Sequence, residues 1–272
     1  MLFLSLTTAA AAAPEESLIN TPTGVLQVQP AAELGFLVPI SHTYQSGSAG
    51  SEIDYITEGG QDNLFLNARF SVDVRWSERN AVTVLYQPLN LETQQVAARE
   101  LVLDSTTFAA GTPMDFRYGF DFYRVSYTRD VLEDPDKALE LGASLQIRNV
   151  TVNFNSADGT LRSANRDVGP VPILKTRGRF ELERGHWWGF EVDGFYAPIK
   201  YLNGDGSDVL GAIADASLRV GTTLDRGVEP FLNVRYIGGG SEGTGDDPDP
   251  GKDGFTRNWL HLGTVTLGVL VR

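Results

Sequence analysis

The chain has 272 residues, no cysteine and a formal net charge of −13. The missing cysteines exclude a disulfide scaffold and a thiolate metal site, and the acidic balance argues against a nucleic-acid partner, whose phosphates would repel it. Past the N-terminus no run of about 18 apolar residues occurs, which excludes a helical membrane protein but not a β-barrel, whose strands need only alternate apolar residues.

Met1 to Ala13 is apolar and ends in a run of alanines before Pro14. Small residues after an apolar stretch predict a signal peptide over residues 1–13, cleaved near Ala12, although the usual basic start is missing. Residues 14–32 are weakly patterned and read as a periplasmic lead-in, leaving residues 33–272 as the barrel. From Glu33 onward, alternating segments are separated by turn signals, with almost no helical periodicity. The clearest is Leu64–Trp76. Leu64, Leu66, Ala68, Phe70, Val72, Val74 and Trp76 share one parity; Asn67, Arg69, Ser71, Asp73 and Arg75 share the other, with Phe65 the exception. Comparable segments lie at 34–44, 81–91, 114–129, 138–154, 172–183, 188–201, 208–223, 229–238 and 257–271. The fold class expected is therefore all-β, an antiparallel up-and-down transmembrane barrel of about ten strands, with eight or twelve as alternatives.

Short turns are expected near 77–80, 133–136, 183–186 and 225–227, and longer loops near 45–62, 92–112, 155–170, 202–207 and 239–256. That asymmetry suits a barrel with two unlike rims. Alternation alone cannot say which parity faces in. Strands of about 12 residues exceed the length usual in soluble sheets. Aromatics also gather near strand ends, as bilayer interfaces favour. Trp76, Tyr127, Trp187 and Trp188 fall at the short-turn end. Tyr44, Tyr86, Phe116, Tyr118, Tyr201, Tyr236 and Trp259 fall toward the other. With the leader, these features put the apolar parity outward, in the outer membrane of a Gram-negative-type cell.

The runs Phe65–Phe70, Val84–Leu89, Thr107–Asp115, Phe122–Thr128, Gly142–Asn149 and Gly169–Leu174 resemble a group of small outer-membrane β-barrel proteins of unassigned activity. The resemblance spans most of the chain after the leader and implies a barrel without implying a reaction. Such barrels end in an aromatic residue that assists assembly, whereas the last residue here is Arg272.

The polar parity is rich in charge. Read as inward-facing, it holds Arg69, Asp73 and Arg75, then Asp115, Arg117 and Asp121, then Glu140 and Arg148. Lys175, Arg177, Arg179, Glu181 and Glu183 follow, then Glu191 and Asp193, Asp215 and Arg219, and Arg235; Arg124 joins only if a bulge shifts the parity after Phe122. Balanced signs support two readings, a structural ion-pair network that fills the interior or a narrow passive pore lined for selectivity. The network is favoured, because long side chains fill much of a ten-stranded lumen. An enzyme acting on lipid or peptide at the outer rim is the alternative, as is ligand or adhesion binding through the outer loops. His42 is followed by Tyr44 where a His-x-Ser hydrolase pair needs serine. His186 lies in a turn, His261 shares the apolar parity, and no Asp-x-His occurs. No catalytic residue is therefore assigned, and no cofactor is expected. Two acidic loops, with Asp205 and Asp208 in one and Asp246, Asp247 and Asp249 in the other, are weak candidates for a divalent cation or small solute. Neither completes an EF-hand pattern. The partners expected are outer-membrane lipid and the barrel-assembly machinery.

Overall fold

The computed structural model describes residues 18–21, 24–77, 79–132, 134–198, 208–245 and 253–272. Ten antiparallel staves form a ring. They are β1 (Gly24–Ser46), β2 (Phe65–Trp76), β3 (Asn80–Gln87, resuming as Asn90–Val96), β4 (Pro113–Phe120 and Phe122–Asp130) and β5 (Lys137–Ser156). Then come β6 (Arg162–Glu181), β7 (His186–Pro198), β8 (Asp208–Thr222), β9 (Val228–Thr244) and β10 (Phe255–Val271). Each stave pairs with the next, and β10 pairs with β1 from Thr256↔Ser46 to Leu270↔Ala31, so the ring closes. Closure lets each stave find a partner on both sides, the condition for a sheet to stand in lipid, although the β6–β7 ladder covers only part of the two strands.

The turns on one rim are short. Two of them repeat an acidic-Arg-Gly pattern, Glu183-Arg184-Gly185 and Asp225-Arg226-Gly227, in which the Arg and the Gly both take positive φ. A left-handed residue pair reverses the chain tightly, and glycine adopts it without steric cost. On the other rim the loops fold inward. Ile53–Asp54 pairs with Thr43 and Tyr44 of β1, and Leu101–Leu103 forms a small hairpin with Thr106–Phe108.

Several strands outrun the sequence expectation. β1 begins at Gly24 rather than near residue 34, β9 runs on to Thr244 rather than 238, and β6 begins at Arg162 rather than 172. The loop expected over 155–170 contracts accordingly, since β5 and β6 pair out to Asn155↔Arg162. Polar and glycine-rich composition imitates a loop in these stretches, but a neighbouring strand supplies the ladder bonds that define a strand. The segment expected to be a leader, residues 1–13, lies outside the described residues.

The side-chain pattern sets the wall in its solvent. A ring of large apolar side chains faces out, with Leu66 79%, Leu174 72% and Leu267 70% exposed, while Arg69, Arg124, Glu140 and Asp215 are buried inside. In water so wide an apolar surface would drive aggregation; in a bilayer it is the solvated face. Toward the loop rim the pattern inverts. On β5 the outward residues pass from Leu141, Leu145 and Ile147 to Asn149, Thr151 and Asn153, while the buried ones pass from Glu140 and Gln146 to Val150, Val152 and Phe154. The wall therefore leaves the membrane near Ile147 and continues into water with an apolar core.

That inversion corrects one expectation. On β4 the buried parity is Met114, Phe116, Tyr118, Phe122, Arg124, Ser126 and Thr128, and the register against β5 is the same on the two sides of Asp121, with Val150↔Phe120 on one and Tyr123↔Ile147 on the other. Arg124 faces inward with no bulge. Asp115, Arg117 and Asp121 take the outward parity instead, where Arg117 pairs with Glu92 at 3.2 Å and Asp115 accepts from Gln94 at 2.8 Å. The bulge lies elsewhere, at Ile40 in β1, where the pairing with β10 slips between His261 and Leu262. It moves the inward parity from Leu37 and Pro39 to His42 and Tyr44.

Candidate functional site: the barrel interior

The interior has three levels. Nearest the short turns is a vestibule of about 640 Å3, bordered by Arg75, Arg179, Glu181, Trp187 and Arg272. Arg179 donates to both oxygens of buried Glu229, at 2.8 and 3.1 Å, and to Glu181 at 2.8 Å. Its guanidinium also lies 4.1 Å over the Trp187 ring. Trp187 was expected at the membrane interface. It is 4% exposed and faces the lumen, because odd residues of β7 point inward. Trp188, one residue on, faces out and stacks on Phe180 at 4.4 Å. Trp76 meets Tyr127 at 6.2 Å, and the Tyr127 hydroxyl donates to Asn80 Oδ1 at 2.8 Å. Trp259 is partly exposed on the outward parity of β10. Tyr44, Phe116 and Tyr118, expected near an interface, are buried in the interior, and Tyr201 lies outside the described residues.

Above the vestibule, charged side chains knit the walls together. Arg69 of β2 bonds Glu33 of β1 at 2.6 Å and Glu191 of β7 at 3.1 Å. β2 and β7 are five staves apart in a ring of ten, so the second bond crosses the lumen. Arg219 joins the same two carboxylates, Glu33 at 3.2 Å and Glu191 at 2.8 Å. Asn233 and Thr266 donate to the other Glu33 oxygen at 2.7 and 2.8 Å. Arg177 reaches Asp73 and Glu140, each at 2.6 Å, and Arg75 bonds Glu140 at 2.5 Å. Arg124 of β4 contacts Asp193 of β7 at 2.5 Å and Asp215 of β8 at 3.1 Å. Arg235 holds Asp215 with a bidentate pair at 2.6 and 2.5 Å, while Lys175 lies 3.3 Å from Glu191 and 3.2 Å from Asp193. A buried charge is tolerated when it is paired and hydrogen-bonded, and each of these carboxylates has a cationic partner.

Sequence reading missed Glu33 and Glu229. Glu33 sits one residue before the first legible alternation, and Glu229 at the very start of β9. Glu229 shares the parity of Arg235, and that parity is the signal that locates it; Glu33 shares the buried parity of Leu37, on a strand where the sequence shows no second inward charge. For Arg148 the backbone is described within β5, but its side chain is not.

The third level is an apolar plug. Ile53, Tyr55, Leu101, Leu103 and Phe108 come from the infolded loops and pack against Leu91, Phe116, Phe154 and Leu260 of the staves. His42 sits among them without exposure. Its ring stacks on Tyr55 at 4.1 Å, meets the edge of Tyr118 at 4.4 Å and bonds Gln61 Oε1 through Nδ1 at 2.7 Å. Ser41 and Thr43 flank it on the other face. The geometry gives His42 a packing role in a buried, largely aromatic cluster. His261 faces outward and bonds the Tyr236 hydroxyl at 2.6 Å.

Among the described residues, no group of three His, Asp or Glu side chains gathers at metal-binding spacing. Asp205, Asp246, Asp247 and Asp249 lie outside the described residues; Asp208 is exposed at the start of β8. At the neighbouring rim, Asp253 accepts from the Ser48 N–H at 2.7 Å and the Phe255 N–H at 3.0 Å. The Ser48 contact first, then that of Phe255, holds its carboxyl below the ordinary aspartate value.

The sequence matches no family model and no curated protein. Among solved structures the chain is similar to the outer membrane protease OmpT of Escherichia coli, at 9% identity over 90% of this chain and 96% of that one, with a TM-score of 0.43. It is also similar to a FadL homologue of Pseudomonas aeruginosa, at 9% over 90% of each, TM-score 0.41. A third is Ail, the attachment invasion locus protein of Yersinia pestis, at 9% over 89% and 98%, TM-score 0.34. These likenesses are of architecture alone. Ring closure, the outward apolar belt and the ion-paired interior make this chain a ten-stranded transmembrane β-barrel of the outer membrane.

Proposed function

We propose that the chain is a sealed structural barrel, whose axial lumen passes neither ions nor polar solutes. The observation that carries this reading is the stacking of two different closures in one lumen. Cross-lumen pairs such as Arg69–Glu191 and Arg124–Asp215 bridge the walls at one level, and the dry cluster around Tyr55 and Phe116 fills the next. A conducting path needs a continuous wet passage, and an ion reaching the apolar cluster would lose its hydration without replacement. Outer-membrane lipid is the partner of the belt, and the barrel-assembly machinery is the agent of insertion. The test is a planar-bilayer recording of the refolded chain. No unitary steps are expected above the bare-bilayer baseline. Steady ohmic conductance would overturn the proposal and promote the pore.

A further inference from the structure

The ladder between β6 and β7 stops partway up. It runs from Glu181↔Trp187 to Leu174↔Gly194. The same register would set Ile173 against Phe195 and Pro170 against Pro198, and these pairings are absent, although both segments are strand. Each remains held on its other side, β6 by β5 through Leu145↔Pro172 and Ile147↔Pro170, and β7 by β8 through Phe195↔Ile213. The cause is legible in Gly169-Pro170-Val171-Pro172. In an antiparallel strand, residues two apart present their backbone groups to the same edge, and proline has no N–H to present. Since the β5 ladder passes both prolines intact, the missing donors fall on the β7 edge.

The break lies within the belt. Val168 and Leu174 on β6, and Tyr196 on β7, are exposed apolar residues, as are Leu145 and Ile147 alongside on β5. Unpaired backbone at membrane depth is costly and persists where it is buried in protein or borders a cavity that water can enter. Such a cavity is present. About 310 Å3 lies inside the wall, between Val171 and Pro172 of β6, Phe195 of β7, and Ile213, Ile237 and Leu260 beyond. A groove on the outer face shares Phe195, Ala212, Ile213, Gly238 and Gly239 with it, so a single layer of wall, three of its five residues glycine or alanine, separates the two.

Two polar groups line this space without full pairing. Gln146 is fully buried, and its Oε1 accepts from Arg124 Nε at 2.9 Å and Nη2 at 2.7 Å. That fixes the amide and leaves Nε2 as an unpartnered donor. Asn258 donates through Nδ2 to the Tyr118 hydroxyl at 3.0 Å, and its Oδ1, which interacts with His42, still offers an open lone pair. One donor and one acceptor in a chamber of mixed, mainly apolar lining suit a hydroxyl group on a lipophilic body. Asp167 at the cavity lining disfavours an anion. The volume is about twice that of an engineered cavity of about 150 Å3 that takes benzene.

We propose that this chamber binds a neutral lipophilic alcohol or phenol, which enters from the membrane through the break between β6 and β7. The site is independent of the sealed axis, since it opens sideways, and either reading can fail without the other.

The test uses the barrel in lipid nanodiscs with 1-naphthol and naphthalene as probes, and a gel-mobility check of assembly for each variant. Saturable binding of 1-naphthol, one per barrel above empty nanodiscs, is expected. Val171→Trp, which fills the chamber, should weaken it at least tenfold, whereas Leu218→Trp on the lipid face should leave it unchanged. Gln146→Met should cost 1-naphthol several-fold more than naphthalene, and this ratio decides the matter if Val171→Trp does not assemble. Linear partitioning equal to that of empty nanodiscs would overturn the proposal. So would an unaltered affinity in an assembled Val171→Trp barrel, or equal effects of Gln146→Met on the two probes.

Discussion

Replacing Arg124 with alanine is expected to lower the unfolding free energy of the barrel by about 3–5 kcal/mol. The guanidinium is enclosed, with 1% of its side chain exposed. It serves Asp193 and Asp215 at once and donates twice to Gln146. Its loss leaves Asp193 to Lys175 alone and removes both hydrogen bonds to Gln146 Oε1. An unpaired buried charge costs far more than the pair contributed, and that asymmetry sets the size of the effect. Arg117→Ala is the internal control. Arg117 also makes an ion pair, but its side chain is 53% exposed above the membrane, so the loss should be about 1 kcal/mol or less. Urea unfolding in lipid vesicles measures both. Equal, small losses would mean that water reaches the Arg124 layer.

Placing arginine at Phe70 should cost about 2–4 kcal/mol, whereas Asn153→Arg should cost about 0–1 kcal/mol. Both side chains face outward. Phe70 lies in the apolar belt of β2, next to Val72 and Leu66, and Asn153 lies on β5 beyond the level at which the outward residues turn polar. The penalty for a charge facing lipid falls from the bilayer midplane to its surface, so the contrast locates the membrane boundary on the wall. The same unfolding titration measures it. A similar cost at the two positions would put the boundary elsewhere.

Much of this architecture is legible in the sequence because period-2 alternation survives wherever one face meets lipid and the other a polar lumen. β2 is the clear case: Arg69, Asp73 and Arg75 share the parity of Asn67, and all face inward. β4 departs from the sequence expectation because polarity inverts within a single parity. Phe116 and Tyr118 are apolar and inward in the water-exposed part; Arg124 and Thr128 are polar and inward in the membrane part. Taking polar as inward throughout moves Asp115, Arg117 and Asp121 to the wrong side. The change along one parity is itself the mark of the membrane surface. Which charges meet across the lumen was not legible. Arg69 and Glu191 are separated by 122 residues, and their contact depends on how the staves are staggered around the ring. The break between β6 and β7 was hidden for another reason: Gly169-Pro170-Val171-Pro172 has the composition of a loop, yet β5 holds it as strand.

In the proposed barrel the wall leaves the membrane partway up and encloses a sealed lumen. Single cysteines on β5 test it most directly, since the chain has none of its own. Leu145→Cys and Asn153→Cys report the outward face, and Ser144→Cys and Val152→Cys the interior. With a membrane-impermeant maleimide applied to the barrel in vesicles, only Asn153→Cys should react rapidly. Leu145→Cys is shielded by lipid, Ser144→Cys by the ion-paired layer and Val152→Cys by the apolar plug. Rapid labelling of Ser144→Cys and Val152→Cys would describe a water-filled pore and contradict the account.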